Sequence, residues 1–318
     1  MKSRSRNIKM LFVDLHPLTK LFFLLFGMLS IVLILTFLGM LLAIPLFDLT
    51  MNDINVFFKN NFEVADSNLI KYFQGVQSVG LFVIPGLVFW YLFFNSSGPA
   101  NQLHKKKYVL GGITILLTTF SLVPIIGLLV KWNSDIHFPS NLHGLETTLQ
   151  KLESDAAVLT EKILEGVSIR HYLFSLLVVA ILPAIGEEFI FRGIVQQIVI
   201  SWMKNSHVAI LLTSIIFSAV HLQFYGFVPR LFLGIYFGYI FLWSRNIWLS
   251  VLAHLFNNTL AVSVHFLIIR NIYVPAYFSE ESLSWSKLIL GATLSFLFIL
   301  LTWVITKQSG NKDTSYSY

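Results

Sequence analysis

The segment LLVVAILPAIGEEFIFRGIVQQIVI (176–200) decides how the rest of the chain is read. It is long and apolar enough for a membrane-spanning helix, which needs about 20 residues. Yet Glu187, Glu188 and Arg192 stand near its middle. A charge at the bilayer centre costs on the order of 2.5–3.5 kcal/mol on insertion scales, so such residues face a protein interior and mark function. Glu188 and Arg192 are four apart, share a helical face and can pair. Glu187 points about 100° away and is left for chemistry or for a metal. A purely structural network clamping helices together is the competing reading of this segment taken alone.

The whole chain has the same character. Of its 318 residues 56% are hydrophobic and 12% charged, against about 25% charged in soluble domains. Apolar stretches at about 18–47, 76–95, 108–130, 171–200, 207–222, 229–243, 247–268 and 287–306 predict an all-α, polytopic membrane helical bundle of about eight transmembrane helices. The first follows Lys2, Arg4, Arg6 and Lys9, but is too long for a signal-peptide core and precedes no small-residue cleavage site. It reads as a retained helix. Lys105, Lys106, Lys107, Lys204, Arg245 and Lys307 fall on the same side as that N-terminal cluster. Asp48, Asp53, Glu63, Glu146, Glu153, Glu280 and Glu281 fall on the other. The positive-inside rule then puts both termini in the cytoplasm. The net charge of +6 follows this topology and calls for no nucleic-acid partner. The absence of Cys excludes disulfides, thiolate chemistry and Cys-ligated zinc.

Three regions follow: three spans plus an outer amphipathic helix over 1–170, a membrane core over 171–306, and a polar, disordered tail over 307–318. No internal repeat is visible. In the long connection 132–170, Leu145, Leu149, Leu152, Ala156, Leu159 and Ile163 form a helical stripe. It predicts a helix on the outer face or capping the bundle, with substrate gating as the sharper alternative. Gln196 and Gln197 read as packing or as the lining of an access path. Arg230 and Arg270 read as span-end residues that snorkel, and His265 as interfacial. HKKK (104–107) sets topology first, with attraction to anionic membrane lipid as a secondary role.

Two other spans carry polar groups. FSAVH ends in His221, and HLFNN places His254 and Asn258 four apart on one face. A lone intramembrane His or Asn is ordinarily interhelical glue; Glu, His, His and Asn on three spans is a constellation. At ~1.5 Å per residue, Glu187 and His221 both lie roughly 20 Å from the cytoplasmic end, and His254 and Asn258 at roughly 10–17 Å. Tilt absorbs the difference. A carboxylate and an imidazole sharing a water can deprotonate it as it attacks a carbonyl, while a second His with an Asn donates to the oxyanion. Glu187 and His221 would then activate water, His254 and Asn258 stabilise the intermediate, and Glu188 with Arg192 hold the geometry. The alternative is zinc held by Glu187, His221 and His254 with water in the open position, although no HExxH is present.

EEFIFR (187–192) fits EExxxR, FSAVH (217–221) fits FxxxH, and HLFNN (254–258) fits HxxxN. In this order, on successive helices, they resemble the CAAX-protease and bacteriocin-processing family of intramembrane endopeptidases, over about residues 171–265. The resemblance implies a helical-bundle protease with a cavity open to cytosol and membrane. It implies catalytic roles for Glu187, His221, His254 and Asn258 and supporting roles for Glu188 and Arg192. It implies a peptide or lipidated-protein substrate and favours water activated by glutamate without a bound metal, Zn being the alternative cofactor. The outer loops lack an N-x-S/T sequon, which favours a bacterial plasma membrane. The rival functions are a non-catalytic immunity or scaffold protein and a proton-coupled transporter. Against the transporter, the chain shows no inverted repeat or paired broken helices.

Overall fold

Apolar runs of this length have no way to satisfy their backbone in lipid except as helices, and the computed structural model is helical throughout. It describes residues 10–59, 66–94, 105–278 and 284–307, with no strand among them. The clusters at Lys2–Lys9, Glu63, His104, Glu280, Glu281 and the tail from 308 lie outside the described residues.

The helices are α1 (Pro17–Phe47), α2 (Met51–Lys59), α3 (Ser67–Phe93), α4 (Lys105–Ser121), α5 (Val123–Ser134), α6 (His143–Leu164), α7 (Ile169–Met203), α8 (Ser206–Ala219), α9 (Phe227–Ser244), α10 (Ile247–Ile269) and α11 (Trp285–Thr306). Each of the eight apolar stretches falls on helix. Six helices are long and apolar enough to cross a membrane, and α4 with α5, bent by 42°, makes up to seven if counted as one broken span. The count of about eight is reduced because α8, counted as a full span from its hydropathy, has only 14 residues. At ~1.5 Å per residue it covers ~21 Å, short of the ~30 Å hydrocarbon core. The protein is a multi-pass membrane protein.

Helix α7 is the hub. Half of its most apolar window is buried, against 6% for α1. It packs on α1, α3, α8 and α10, with Ile190, Phe191, Ile194 and Ile198 sharing a cluster with Phe89 and Phe93 of α3. On the other side α4 packs against α10 and α11, and α9 bridges α8 and α10. Helices from both sides of residue 170 thus interleave in one bundle. Helices α8 and α9 approach closely because Gly234 and Gly238 carry no side chain. A Cβ there would meet Ser214 Cβ at 3.0 Å and Ile210 Cγ2 at 2.9 Å respectively, the small-residue packing that replaces hydrophobic drive in lipid.

Two prolines leave carbonyls that distant side chains satisfy. Pro124 opens α5 at the bend and offers no N–H to the Phe120 carbonyl; Tyr277 Oη donates to that carbonyl at 2.9 Å. Pro183 in α7 likewise withholds an N–H from the Val179 carbonyl, and Asn258 Nδ2 of α10 donates there at 3.1 Å.

Helix α6 packs against α3, the start of α7 and α10, and its buried stripe is turned from the predicted one. Glu146, Leu149, Glu153, Ala156, Leu159 and Ile163 face inward, while Leu145 and Leu152 are exposed. Adjacent residues lie ~100° apart around a helix, so two carboxylates take the places expected for leucines. Each has a partner that the hydrophobic pattern does not reveal: Glu146 meets His137 Nδ1 at 3.2 Å, and Glu153 accepts from Tyr225 N at 3.1 Å. At its far end the orphan carbonyls of a helix C-terminus are taken up from neighbouring helices. Ser67 Oγ donates to Lys162 O, Ser175 Oγ to Ile163 O, and the buried Lys71 Nζ to Glu165 O, at 2.8, 2.8 and 3.0 Å.

Candidate active site

Two π-helical segments in α7, Leu176–Ile181 and Phe189–Val195, flank the turns that carry Glu187 and Glu188. Such segments shift the register of a helix face and occur frequently at functional sites. Glu188 is fully buried, and its Oε1 lies 3.1 Å from Arg192 Nη1. The predicted pair is therefore present, though that nitrogen is off the line of a good hydrogen bond. Arg192 is fixed by its other nitrogen, Nη2, which donates to Gly234 O at 3.0 Å. Its guanidinium lies over the rings of Phe217 and Phe237, 4.7 and 5.5 Å from their centroids.

Glu188 has a second partner that the sequence did not announce. His254 Nδ1 is 2.9 Å from the same Oε1. The carboxylate accepts, so Nδ1 carries the proton and Nε2 is turned towards the other carboxylate, 4.0 Å from Glu187 Oε2. A carboxylate on one ring nitrogen fixes both tautomer and orientation. The ring is also stacked on Phe237 at 5.0 Å and 18°.

His221 lies past the end of α8, in a turn closed by Leu222 at φ 55°. Its Nδ1 donates to Phe217 O at 2.9 Å, which leaves Nε2 as the acceptor. Phe217 meets both imidazoles edge-on, at 5.4 Å from His221 and 6.0 Å from His254. One aromatic side chain thus spaces the two histidines and floors Arg192. Phe217, the first residue of the FxxxH match, and Phe237 pack against the polar groups of the site; Phe237 lies in no motif.

Glu187 is buried and makes no hydrogen bond among the described residues. Of the two imidazoles it faces His254, at 4.0 Å; among the described residues no direct ion pair joins it to His221. Asn258 lies one turn beyond His254 but spends one N–H on Val179, and its Oδ1 accepts from Asn257 Nδ2 at 3.2 Å. Gln196 is wholly buried and donates to Gly238 O at 3.3 Å. It packs the α7–α9 crossing.

Arg230, expected as a span-end residue, lies near the start of α9 and is partly buried, and its charge acts on both Glu187 and His221. The span edge gave it away only as a position; the 221–226 turn bends it back to the site. That turn is fastened from three sides. Arg230 Nη2 donates to Gln223 O at 3.0 Å, Glu153 accepts from Tyr225 N, and Asn133 of α5 donates to Phe224 O at 3.1 Å while accepting from Val228 N at 2.8 Å. Replacing the buried Asn133 by alanine leaves one donor and one acceptor unmet. It is expected to cost about 1–3 kcal/mol, seen as a lower unfolding temperature in detergent; an unchanged temperature would mean that the clamp contributes nothing.

For a metal, no three His, Asp or Glu side chains converge closely enough among the described residues. Glu187 and the Nε2 atoms of His221 and His254 are the groups that would hold one, with His254 Nδ1 braced by the Glu188 carboxylate as metal-binding imidazoles commonly are.

Residues 169–260 match the family described as Type II CAAX prenyl endopeptidase Rce1-like. The match runs from the start of α7 to just past Asn258 in α10 and takes in all three motifs. No curated protein and no solved structure matches the chain.

Proposed function

We propose that this chain, whose residues 169–260 form an Rce1-like domain, is an intramembrane endopeptidase that hydrolyses a peptide bond of a lipidated or membrane-embedded substrate. The observation that carries the reading is the buried Glu187 carboxylate, with no hydrogen bond among the described residues, facing an imidazole that a second carboxylate holds in place.

In this reading Glu187 takes a proton from water as the oxygen attacks the carbonyl carbon. His221, whose Nδ1–H is held by Phe217 O, accepts the water's other hydrogen at Nε2 and orients it. The negative charge moves to the carbonyl oxygen. His254 in its imidazolium form, stabilised by Glu188, donates Nε2–H to that oxyanion, and the remaining N–H of Asn258 completes the pair of donors. Collapse of the intermediate breaks the C–N bond, and Glu187 passes its proton to the leaving amine. Glu188 and Arg192 hold the imidazole and stay charged. No metal takes part.

The test is cleavage of lipidated peptides by the purified protein in detergent or nanodiscs, with the product masses showing addition of one water across an amide. Chelator is expected to leave the rate unchanged; a loss restored by added zinc would overturn the metal-free scheme. Absence of cleavage across a broad lipidated set, in a folded protein, would favour a binding or immunity role instead.

A further inference from the structure

Arg230 has donors with no assigned task. Its Nη2 holds Gln223 O, but its Nε is buried without a hydrogen-bond partner among the described residues. Among the described residues no carboxylate lies within 4 Å, in contrast to Arg192. A buried donor left unmet costs free energy, and each such group in a native fold calls for an explanation. The guanidinium also occupies a place cut to its shape. It lies flat against Gly226, where a Cβ would stand 2.3–2.7 Å from Nη2, Cζ and Nη1. Its charge reaches Glu187 and His221 on one side and Glu153 of α6 on the other. The site therefore offers a fixed cation whose charge acts on the proposed general base, held against the 221–226 turn.

We infer that Arg230 recognises a carboxylate of the peptide substrate and so sets the scissile bond against Glu187. A planar guanidinium with free N–H groups matches a carboxylate by paired, charge-assisted hydrogen bonds, and a half-buried cation is stabilised when that anion arrives. The carboxylate is either the α-carboxylate of the peptide terminus or an acidic side chain near the cut. The α-carboxylate would place cleavage at a fixed, short distance from the end of the chain. The inference rests on the peptidase reading and adds to it the feature the substrate must carry.

The experiment compares cleavage of one lipidated peptide as free acid and as C-terminal amide, and of versions with Asp or Glu near the cut replaced by Asn or Gln. The wild type is expected to lose roughly 10–100-fold in kcat/KM, chiefly through KM, when the recognised carboxylate is removed. In Arg230→Met that preference should collapse towards unity. Gly226→Ala keeps the charge but pushes the guanidinium off its seat, and should reduce the preference in the same direction. Arg230→Lys keeps the charge without the planar fork and should restore only part of it. Sensitivity to amidation names the terminus as the source; sensitivity to Asn or Gln names the side chain. Equal cleavage of all four peptides by the wild type, or a preference that survives in Arg230→Met, would overturn the inference while leaving the peptidase reading intact. Failure of the wild type to cleave any of them would sink both.

Discussion

Replacing Glu187 by glutamine is expected to slow peptide cleavage by ~10²–10⁴-fold, the usual contribution of a positioned general base, with the fold unchanged. The two halves of this expectation come from one observation. Glu187 is buried but makes no hydrogen bond among the described residues, so an isosteric amide removes no structural contact. What it removes is the group that accepts the proton of the attacking water. KM should change less than kcat, because the carboxylate acts on the water rather than on the bound peptide. The check is a pair of measurements on the same preparation: unfolding temperature in detergent and single-turnover cleavage. Cleavage at the wild-type rate by a folded Glu187→Gln protein would remove Glu187 from the mechanism.

Glu188→Ala should do the opposite, damaging fold and activity together. Its carboxylate is fully buried and serves Arg192 and His254 at once. Without it, the Arg192 charge remains enclosed, 1% exposed, with only the Gly234 carbonyl and two aromatic faces for company. Breaking a buried pair from one side typically costs about 3–5 kcal/mol. The double variant Glu188→Ala, Arg192→Met takes away the stranded charge and should recover much of that loss. It should not recover cleavage, because His254 would have nothing to hold its ring in place or to balance its charge. Stability and activity therefore separate in the double variant if Glu188 positions the imidazole. Parallel recovery of both would show that the carboxylate matters only as a counter-ion.

How far the sequence reached can be seen residue by residue. The Glu188–Arg192 pair was legible because i,i+4 spacing on a helix fixes which side chains meet. The link from Glu188 to His254 was not, since it spans 66 residues and depends on how α7 and α10 cross. The place of Asn258 was open for the same reason: its contact follows from a carbonyl that Pro183 leaves unpaired one helix away. The stripe of α6 was misread at Glu146 and Glu153. Hydrophobic periodicity assumes that charge faces solvent, and here His137 and the Tyr225 amide made the inward face polar. The reach of the Arg230 charge to Glu187 and His221 was not legible, because it depends on the turn at Leu222 that precedes its helix.

The sequence by itself determined that this is a helical membrane protein and singled out the six side chains on which the proposed chemistry rests. Apolar length forces helices in lipid, and charge in that setting is too costly to keep without a use. The tertiary structure decided how those side chains are shared out. It gave Glu188 to Arg192 and His254 together, left Glu187 without a hydrogen bond among the described residues, and set Phe237 and the Arg230 charge to act on the site. Those assignments depend on the π segments of α7, the glycine-lined contact of α8 with α9 and the turn after His221, where helix ends and crossings, not local spacing, fix which atoms meet.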